Sequence, residues 1–395
     1  MIHKLVLKNF KRVKEETFLF NNFDLIVGAN NSGKSTVLQA LAIWQYCVDQ
    51  FSIAKKTNGK RGIQVVLPNF TALPLPEFNL LWTDKISMLG NKQKANKNIY
   101  IEIDVYWYDE QKTEHNFCVL IRYQSPQSVF AIPQDNWNFF KEKYSLPSFP
   151  HIVYVPPFSG LEPHEKWLDD GNVRQNVGKV QPGSVLRNLL YRVIDRENEN
   201  QEHVNIKNDE DWIEIKQKIK EWFNVELLLP QYEKGISTEI VSEYKVNKKT
   251  FDIISGGSGF HQILTLLAFM YGYKGATTVL FDEPDAHLHV SLQRQILNYI
   301  RQHTQIQFLT ATHSEEFVKN VKAQIFSIID GKKLLFENPD SLFEQIKNVD
   351  SANLKINRST IASVMTASEI HNDIDIFFDN LAIIVGQSGV IPSQL

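Results

Sequence analysis

The sequence predicts an α/β fold: a largely parallel sheet with an inserted antiparallel β lobe and a helical lobe. Three observations predict it. Four apolar runs, ending at Val27, Val155, Phe281 and Thr310, each stop in a polar or turn-forming cluster, as buried strands do when their carboxyl ends face a ligand. Two alternating segments, 99–108 and 117–123, flank a polar turn and read as an antiparallel hairpin. Within about 184–250, Leu186, Leu189, Leu190 and Val193, and then Trp212, Ile215, Ile219 and Trp222, recur at helical spacing.

The stretch 25–41, LIVGANNSGKSTVLQAL, sets the frame for the rest. Leu25, Ile26 and Val27 read as a buried strand, and Val37, Leu38 and Leu41 as the apolar stripe of a helix. Between them Gly28, Ala29, Asn30, Asn31, Ser32, Gly33, Lys34 and Ser35 match G-x-x-x-x-G-K-[ST], in the strand–loop–helix setting the motif requires. Such a loop turns backbone N–H groups on a phosphate at the positive end of the helix dipole. Gly28 and Gly33 allow close approach without a Cβ. Lys34 is expected to reach the β- and γ-phosphates, and the Ser35 hydroxyl to ligate Mg²⁺, with Thr36 closing the loop. The expected ligand is a nucleoside triphosphate.

The formal net charge is −3 over 395 residues, so no global basic field draws the chain to nucleic acid or an anionic membrane. Any such contact must come from a local patch. Cys47 and Cys118 lie in apolar or strand-like surroundings and read as buried free thiols, which suits a reduced, cytoplasmic setting. No signal peptide opens the sequence and no apolar run is long enough to cross a bilayer, so no membrane is expected.

Taken in order, residues 2–8 alternate apolar and polar, and Phe18–Phe20 follow after a short turn; two strands are expected before the phosphate loop, adequately explained as a plain edge hairpin. The helix after the loop runs to about Val48. Lys55, Lys56, Lys60 and Arg61 read as a solvated loop rather than a DNA-facing patch, and the Lys-containing stretch 91–98 as another loop. The aromatics of 99–123 read as packing rather than base-stacking. Residues 151–157 are a short buried strand ended by two prolines. The polar stretch 195–208 reads as a loop, and Asp209 as the N-cap of a helix in which Glu214 and Lys218 sit at i, i+4. A glycine-rich turn at 255–259 precedes a strongly apolar helix; a strand at 278–281, a Gln- and Leu-rich helix and a strand at 306–310 follow. Strands 324–329 and 333–336 meet at Asp330-Gly331, a hairpin turn signal. The expected division is a head at 1–340, with an insertion at 51–149 and a helical lobe at about 184–250, and a C-terminal segment at 341–395.

The chemistry is expected where the apolar strands end. Asp282 would hold Mg²⁺, directly or through water. Glu283 would be the general base that aligns the attacking water, since two adjacent carboxylates rarely share one role. His313 ends the next strand and would contact the γ-phosphate. Ser255, Gly256 and Gly257 open a second anion-binding turn at a helix N-terminus. Two such turns from one chain would crowd one γ-phosphate, so a dimer is expected in which each turn closes over the nucleotide of the other chain.

The order GANNSGKST, ISGGSGFHQ, VLFDEPDAHLH, TATHS resembles the ABC-type ATPase heads of the RecF, SMC and OLD (overcoming-lysogenisation-defect) superfamily, over roughly residues 1–336. The resemblance implies ATP and Mg²⁺ as cofactors and ATP-dependent head-to-head homodimers, with a higher oligomer also compatible. It makes Lys34 and Ser35 the Walker A residues, Asp282 and Glu283 Walker B, Ser255 and Gly257 the signature turn acting in trans, and His313 the switch histidine. Asp285 falls where such heads place the dimer-contacting D-loop. The signature is not spelled LSGGQ, and Ser159 or Gln175, after the strand at 152–155, is a candidate Q-loop residue. Within the superfamily, FSGLEPHEKW, GSVLRNLL, GSGFHQIL and DEPDAHLH look like the ATPase subunits of bacterial antiphage systems, of Septu or OLD-like type. Those act with a nuclease, a separate HNH subunit or a fused Toprim domain, on DNA or RNA. The end, LAIIVGQSGVIPSQL, resembles the opening strand of a Toprim domain, but Gly386 follows Val385 directly where a Glu is expected. No complete nuclease site is therefore expected in this chain, and 341–395 reads as the start or remnant of such a domain.

Two other classes share the phosphate-loop signature. An ABC importer ATPase is disfavoured by the inserted hairpin and the missing LSGGQ turn. A RecF-like DNA-repair ATPase is the runner-up, since no long heptad run supplies SMC arms. His287 and His289 beside Asp285 offer a metal-site spacing, but their place next to a Mg²⁺–ATP site favours a dimer contact.

Overall fold

The computed structural model describes residues 1–336 apart from 28–32, 55–61, 90–96, 135–148, 180, 198–202, 206–208, 274, 304, 313, 315–316, 318–323 and 330–331. The chain opens with β1 (Ile2–Phe10), β2 (Val13–Leu19) and β3 (Phe23–Val27), and then α1 (Lys34–Ile53). Next come β4 (Ile63–Val66), the two-residue β5 (Met88–Leu89) and β6 (Lys97–Asn98), β7 (Ile101–Tyr108), β8 (Glu114–Ser125) and β9 (Ser128–Pro133). After β10 (Ile152–Val155) come α2 (Asp170–Gly178), α3 (Leu186–Ile194), β11 (Asp195–Glu197), β12 (His203–Asn205) and α4 (Glu210–Phe223). A small sheet of β13 (Glu226–Leu227), β14 (Glu243–Val246) and β15 (Lys249–Asp252) leads into α5 (Ser258–Gly272). The last described elements are β16 (Thr278–Asp282), α6 (Val290–Gln302), β17 (Gln307–Thr312), β18 (Gln324–Ile329) and β19 (Lys332–Phe336).

Two six-stranded sheets organise these elements. One runs β10-β16-β17-β3-β18-β19, parallel except for β19. The other is antiparallel, β2-β1-β7-β8-β9-β4, so the first two strands and the inserted ones share one ladder. Successive side chains along a strand point to opposite faces, and the parallel sheet buries both. Leu25, Val27, Val279 and Phe281 face a core shared with α3, α5 and α6. Ile26, Leu280, Leu309 and Ala311 face a second core made with α1 and the antiparallel sheet. Two buried faces are why these strands read as unbroken apolar runs.

α1 lies between the sheets and is buried on most of its circumference, which is why it shows little amphipathicity. Trp44 is fully buried there and donates its indole N–H to the Phe117 carbonyl (2.8 Å). Trp107, Phe117 and Phe149 pack around its ring. The aromatics of the hairpin are thus packing, as expected. Cys47 and Cys118 are free and buried, also as expected.

Some local readings change. Residues 195–197 and 203–205 pair as a short hairpin instead of forming a loop; that ladder is polar, so no apolar alternation announced it. Lys218 pairs with Glu221 (3.1 Å) rather than with Glu214. Asp209 caps α4 as expected, accepting from the N–H groups of Asp211 and Trp212. Met88–Leu89 pair with Lys97–Asn98 at the edge of the expected 91–98 loop. Lys55, Lys56, Lys60, Arg61, the Asp330-Gly331 turn and the whole of 341–395 lie outside the described residues, although β18 and β19 do pair antiparallel across that turn.

Two buried side chains tie distant segments together. Gln307, at the start of β17, accepts from the Ile2 N–H (3.0 Å) and the Thr278 hydroxyl (3.1 Å). Its amide nitrogen donates to the carbonyls of Ile2 (2.6 Å) and Asn21 (2.7 Å). One amide thereby joins the antiparallel sheet to the parallel one with its hydrogen-bonding capacity filled. Glu165 does a similar service for α3, which has no side-chain cap of its own. Its carboxyl group accepts from the N–H groups of Arg187 (2.8 Å) and Asn188 (2.6 Å) and from the Asn188 amide (2.7 Å). Burial nevertheless raises its pKa from 4.5 to about 7.

Two outcomes follow. Gln307→Leu should lower the free energy of unfolding by about 3 kcal/mol or more in a urea titration, because several buried groups lose a partner at about 1–3 kcal/mol each. The folded chain holds a proton on Glu165 that the unfolded chain has released between 4.5 and about 7, so this group makes stability fall as pH rises through that window. Urea titrations across the window should show a shallower slope for Glu165→Gln than for the parental chain.

Candidate functional site

β3 runs into the phosphate loop and α1 leaves it, so the loop opens at the carboxyl edge of the parallel sheet. Gly28, Asn30, Asn31 and Ser32 lie outside the described residues. Gly33 is the residue before the helix and adopts φ 111°, a conformation that only glycine takes without strain. The Thr36 N–H donates to the Gly33 carbonyl (2.9 Å), closing the first turn. The Lys34 side chain is buried. Burial depresses its pKa, while Glu283, Asp282 and Asp285 oppose that shift.

β16 and β17 are parallel neighbours, and the same register that pairs Asp282 with Ala311 carries Asp282 to the loop. Its Oδ1 accepts from the Ser35 hydroxyl (2.9 Å). Its Oδ2 accepts from the hydroxyl of Tyr154 on β10 (2.9 Å). Asp282 is 4% exposed, and burial raises its pKa against those two donors and Lys34. Ser35 and Asp282 thus present two hard oxygen atoms in one buried place, the donor set Mg²⁺ takes beside substrate phosphates. The residues present fit the cation.

Glu283 follows in the left-handed region, φ 55°, which costs a residue other than glycine about 1–3 kcal/mol. Its N–H donates to the Ala311 carbonyl (2.8 Å), continuing the ladder for one residue beyond the strand. That turn points the side chain into a cavity of about 590 Å³ shared with Gly33, Lys34, Ser35, Thr36 and Gln39, a size that suits a small-molecule ligand. The roof comes from the antiparallel sheet side: Lys11 and Arg12 from the β1–β2 turn, and Leu80, Trp82, Asp84 and Lys85. Asp84 and Lys85 both have positive φ, 55° and 60°, a second strained turn on the same cavity. Lys11, Arg12, Lys34 and Lys85 outnumber Asp84 and Glu283 among the described lining residues, as a polyanion requires.

The glycine-rich turn lies elsewhere. Ser255, Gly256 and Gly257 precede α5, and none lines the cavity at Lys34. The turn is braced from inside. Asp252 Oδ1 accepts from the Ile254 N–H (2.8 Å) and from buried Arg187 (2.7 Å), whose other nitrogen reaches the Glu162 carbonyl (2.8 Å). The His261 ring meets the Ile253 carbonyl (2.7 Å). A Cβ on Gly256 would strike the Phe260 ring at 2.4 Å, but one on Gly257 would meet nothing within 4 Å. Ser255 and Gly257 are exposed.

His313 lies outside the described residues. Asp285, in the expected D-loop position, is buried and accepts from the Thr312 hydroxyl (2.5 Å), which ties it to the end of β17. The metal reading of His287 and His289 gains nothing. His289 caps α6 through Ser291, and no group of three metal-binding side chains occurs among the described residues. Ser159 is exposed, and Gln175 faces the Pro68 carbonyl (3.5 Å), so neither lines the cavity. Sequence reasoning missed Tyr154, Gln39, Lys11 and Arg12. The Lys-Arg pair in a minimal turn was the one visible signal.

Two family models match the chain: "AAA ATPase domain" over residues 1–146 and "AAA domain, putative AbiEii toxin, Type IV TA system" over 127–319. An "ATP/GTP phosphatase" of Helicobacter pylori is 22% identical over 349 residues, covering 81% of this chain and 87% of that protein. Among solved structures, the Smc head domain with an extended coiled coil from Pyrococcus furiosus, bound to the C-terminal domain of ScpA, is similar at 17% identity and a TM-score of 0.49, covering 88% of this chain and 98% of that one. The recombination mediator RecF of the RecFOR pathway is similar at 12% identity and a TM-score of 0.45, covering 85% and 98%. Among the described residues no helix is long and apolar enough to cross a membrane. Between them, the two ATPase-domain matches take in the phosphate loop and the Asp282–Glu283 pair, so the residues gathered at the cavity are those over which the chain is similar to ATPase domains.

Proposed function

We propose that this chain hydrolyses Mg²⁺-ATP at composite sites formed when two heads close face to face, and that closure controls a partner nuclease acting on DNA or RNA. The observation that carries the reading is the turn at Ser255–Gly257, which is braced from within, exposed outside and away from its own chain's cavity. Gly257 has an ordinary backbone and open space at its Cβ position, so nothing within the chain asks for glycine there. Close approach by a second copy's triphosphate does.

In that closed state Gly28 to Thr36 cradle the phosphates, Lys34 neutralises them, and Ser35 and Asp282 hold Mg²⁺. The cation, when bound, draws charge from the β- and γ-phosphate oxygens. Glu283, aimed into the cavity by its left-handed backbone, orients and deprotonates the attacking water. His313, just beyond β17, senses the γ-phosphate. The nuclease partner, of HNH or Toprim type, and a role in antiphage defence rest on the resemblance of FSGLEPHEKW and DEPDAHLH to such subunits. The toxin–antitoxin description of the model over 127–319 is in keeping with them.

Three outcomes test this. Lys34→Ala should abolish nucleotide binding in a fluorescent-nucleotide titration. Glu283→Gln should keep binding ATP, lose hydrolysis by roughly 10²–10⁴-fold, and run as a dimer with ATP and Mg²⁺ in light scattering. Mixing inactive Lys34→Ala with inactive Ser255→Arg should restore hydrolysis, because a mixed dimer contains one intact composite site; a mixture as inactive as its parts would refute the trans arrangement.

A further inference from the structure

The cation pair does not stand alone. Tyr154 is almost completely enclosed on β10, and its hydroxyl donates to a carboxylate, Asp282 Oδ2, at 2.9 Å. The Ser35 hydroxyl occupies the other carboxylate oxygen at the same distance. Gln39, one turn into α1, lies beside the Tyr154 phenol and acts on it to favour the ionised form, against burial. The Gln39 Oε1 in turn accepts from the Lys11 ammonium on the β1–β2 turn. A line of polar side chains therefore runs from the cavity roof through Lys11, Gln39 and Tyr154 to Asp282 and Ser35, hydrogen-bonded at its two ends and crossing both sheets and α1.

We propose that Tyr154 is a positioning residue for the divalent cation, and that the Lys11–Gln39–Tyr154 line holds the Asp282 carboxylate for it. The inference rests on Ser35 and Asp282 being the cation's protein ligands. A carboxylate with two free oxygens can rotate about its Cβ–Cγ bond and swing either oxygen toward a cation. With Oδ2 engaged by a phenol fixed in the core, Oδ1 alone remains beside Ser35, in one orientation. Partners of this kind that hold a ligating group are commonly worth 10- to 100-fold in metal affinity. A plain core role for Tyr154 would ask only for its ring. The hydroxyl is what the proposal needs, and Tyr154→Phe removes nothing else.

The test is binding rather than turnover. A fluorescent non-hydrolysable ATP analogue is titrated into the full chain in EDTA, and then Mg²⁺ is titrated into the complex. In the parental protein Mg²⁺ should tighten binding; if it has no effect, the reading of Ser35 and Asp282 falls, and this inference with it. In Tyr154→Phe the affinity in EDTA should be unchanged, while the Mg²⁺ concentration at half-effect rises by roughly 10- to 100-fold. An unchanged Mg²⁺ midpoint overturns the proposal while leaving the proposed ATPase site intact. An equal loss of affinity with and without Mg²⁺ also overturns it, since that marks a packing role. If thermal melting in EDTA shows that Tyr154→Phe does not fold, Gln39→Leu carries the same titration. It should raise the midpoint by a smaller factor, and no rise would count against the proposal.

Discussion

A carboxylate sealed at the end of a core strand is destabilising unless donors meet it, and Asp282 is met by two hydroxyls from opposite directions. One comes from the first turn of α1 and the other from the neighbouring strand β10, so the carboxylate fixes three elements at once. The site exists only if β10, β16 and the phosphate loop hold their mutual register. The parallel ladders β10–β16 and β16–β17–β3 supply it. Burial that is costly for the charge is thus also what holds the geometry.

The same arrangement explains why the two sheets are fastened so firmly. α1 carries loop residues at its start and core residues along most of its length, and both sheets press on it. Gln307 adds a polar staple between β1 and β17 at the far end of the strands. The cavity roof, which belongs to the antiparallel sheet, is therefore held in place over a floor that belongs to the parallel one. Neither sheet makes the pocket by itself.

Much of this was legible from the chain. Lys34, Ser35, Asp282 and Glu283 stand in motifs whose spacing is local, and the apolar runs before them announced buried strands. Tyr154 was not legible as anything but a core aromatic, because its role depends on which strand lies beside β16, a pairing across more than a hundred residues. Lys11 and Arg12 read as an ordinary turn for a similar reason: their neighbour at Leu81 is remote in sequence. The burial of Asp285 was not legible either, because a motif position says where a residue sits and not which way its side chain turns; the nearby Thr312 hydroxyl draws it inward. Glu214 and Lys218 have the right helical spacing, but Lys218 takes Glu221 instead.

The left-handed backbone at position 283 narrows how this head can change over time. Asparagine, aspartate or glycine would fit that corner, whereas valine or isoleucine would clash with their own carbonyls. On the proposed role of Glu283 as the base, descendants that abandon hydrolysis can keep the corner and the strand behind it by drifting toward small amides or glycine. A silent head of that lineage would be recognised by a preserved aspartate followed by one of those residues.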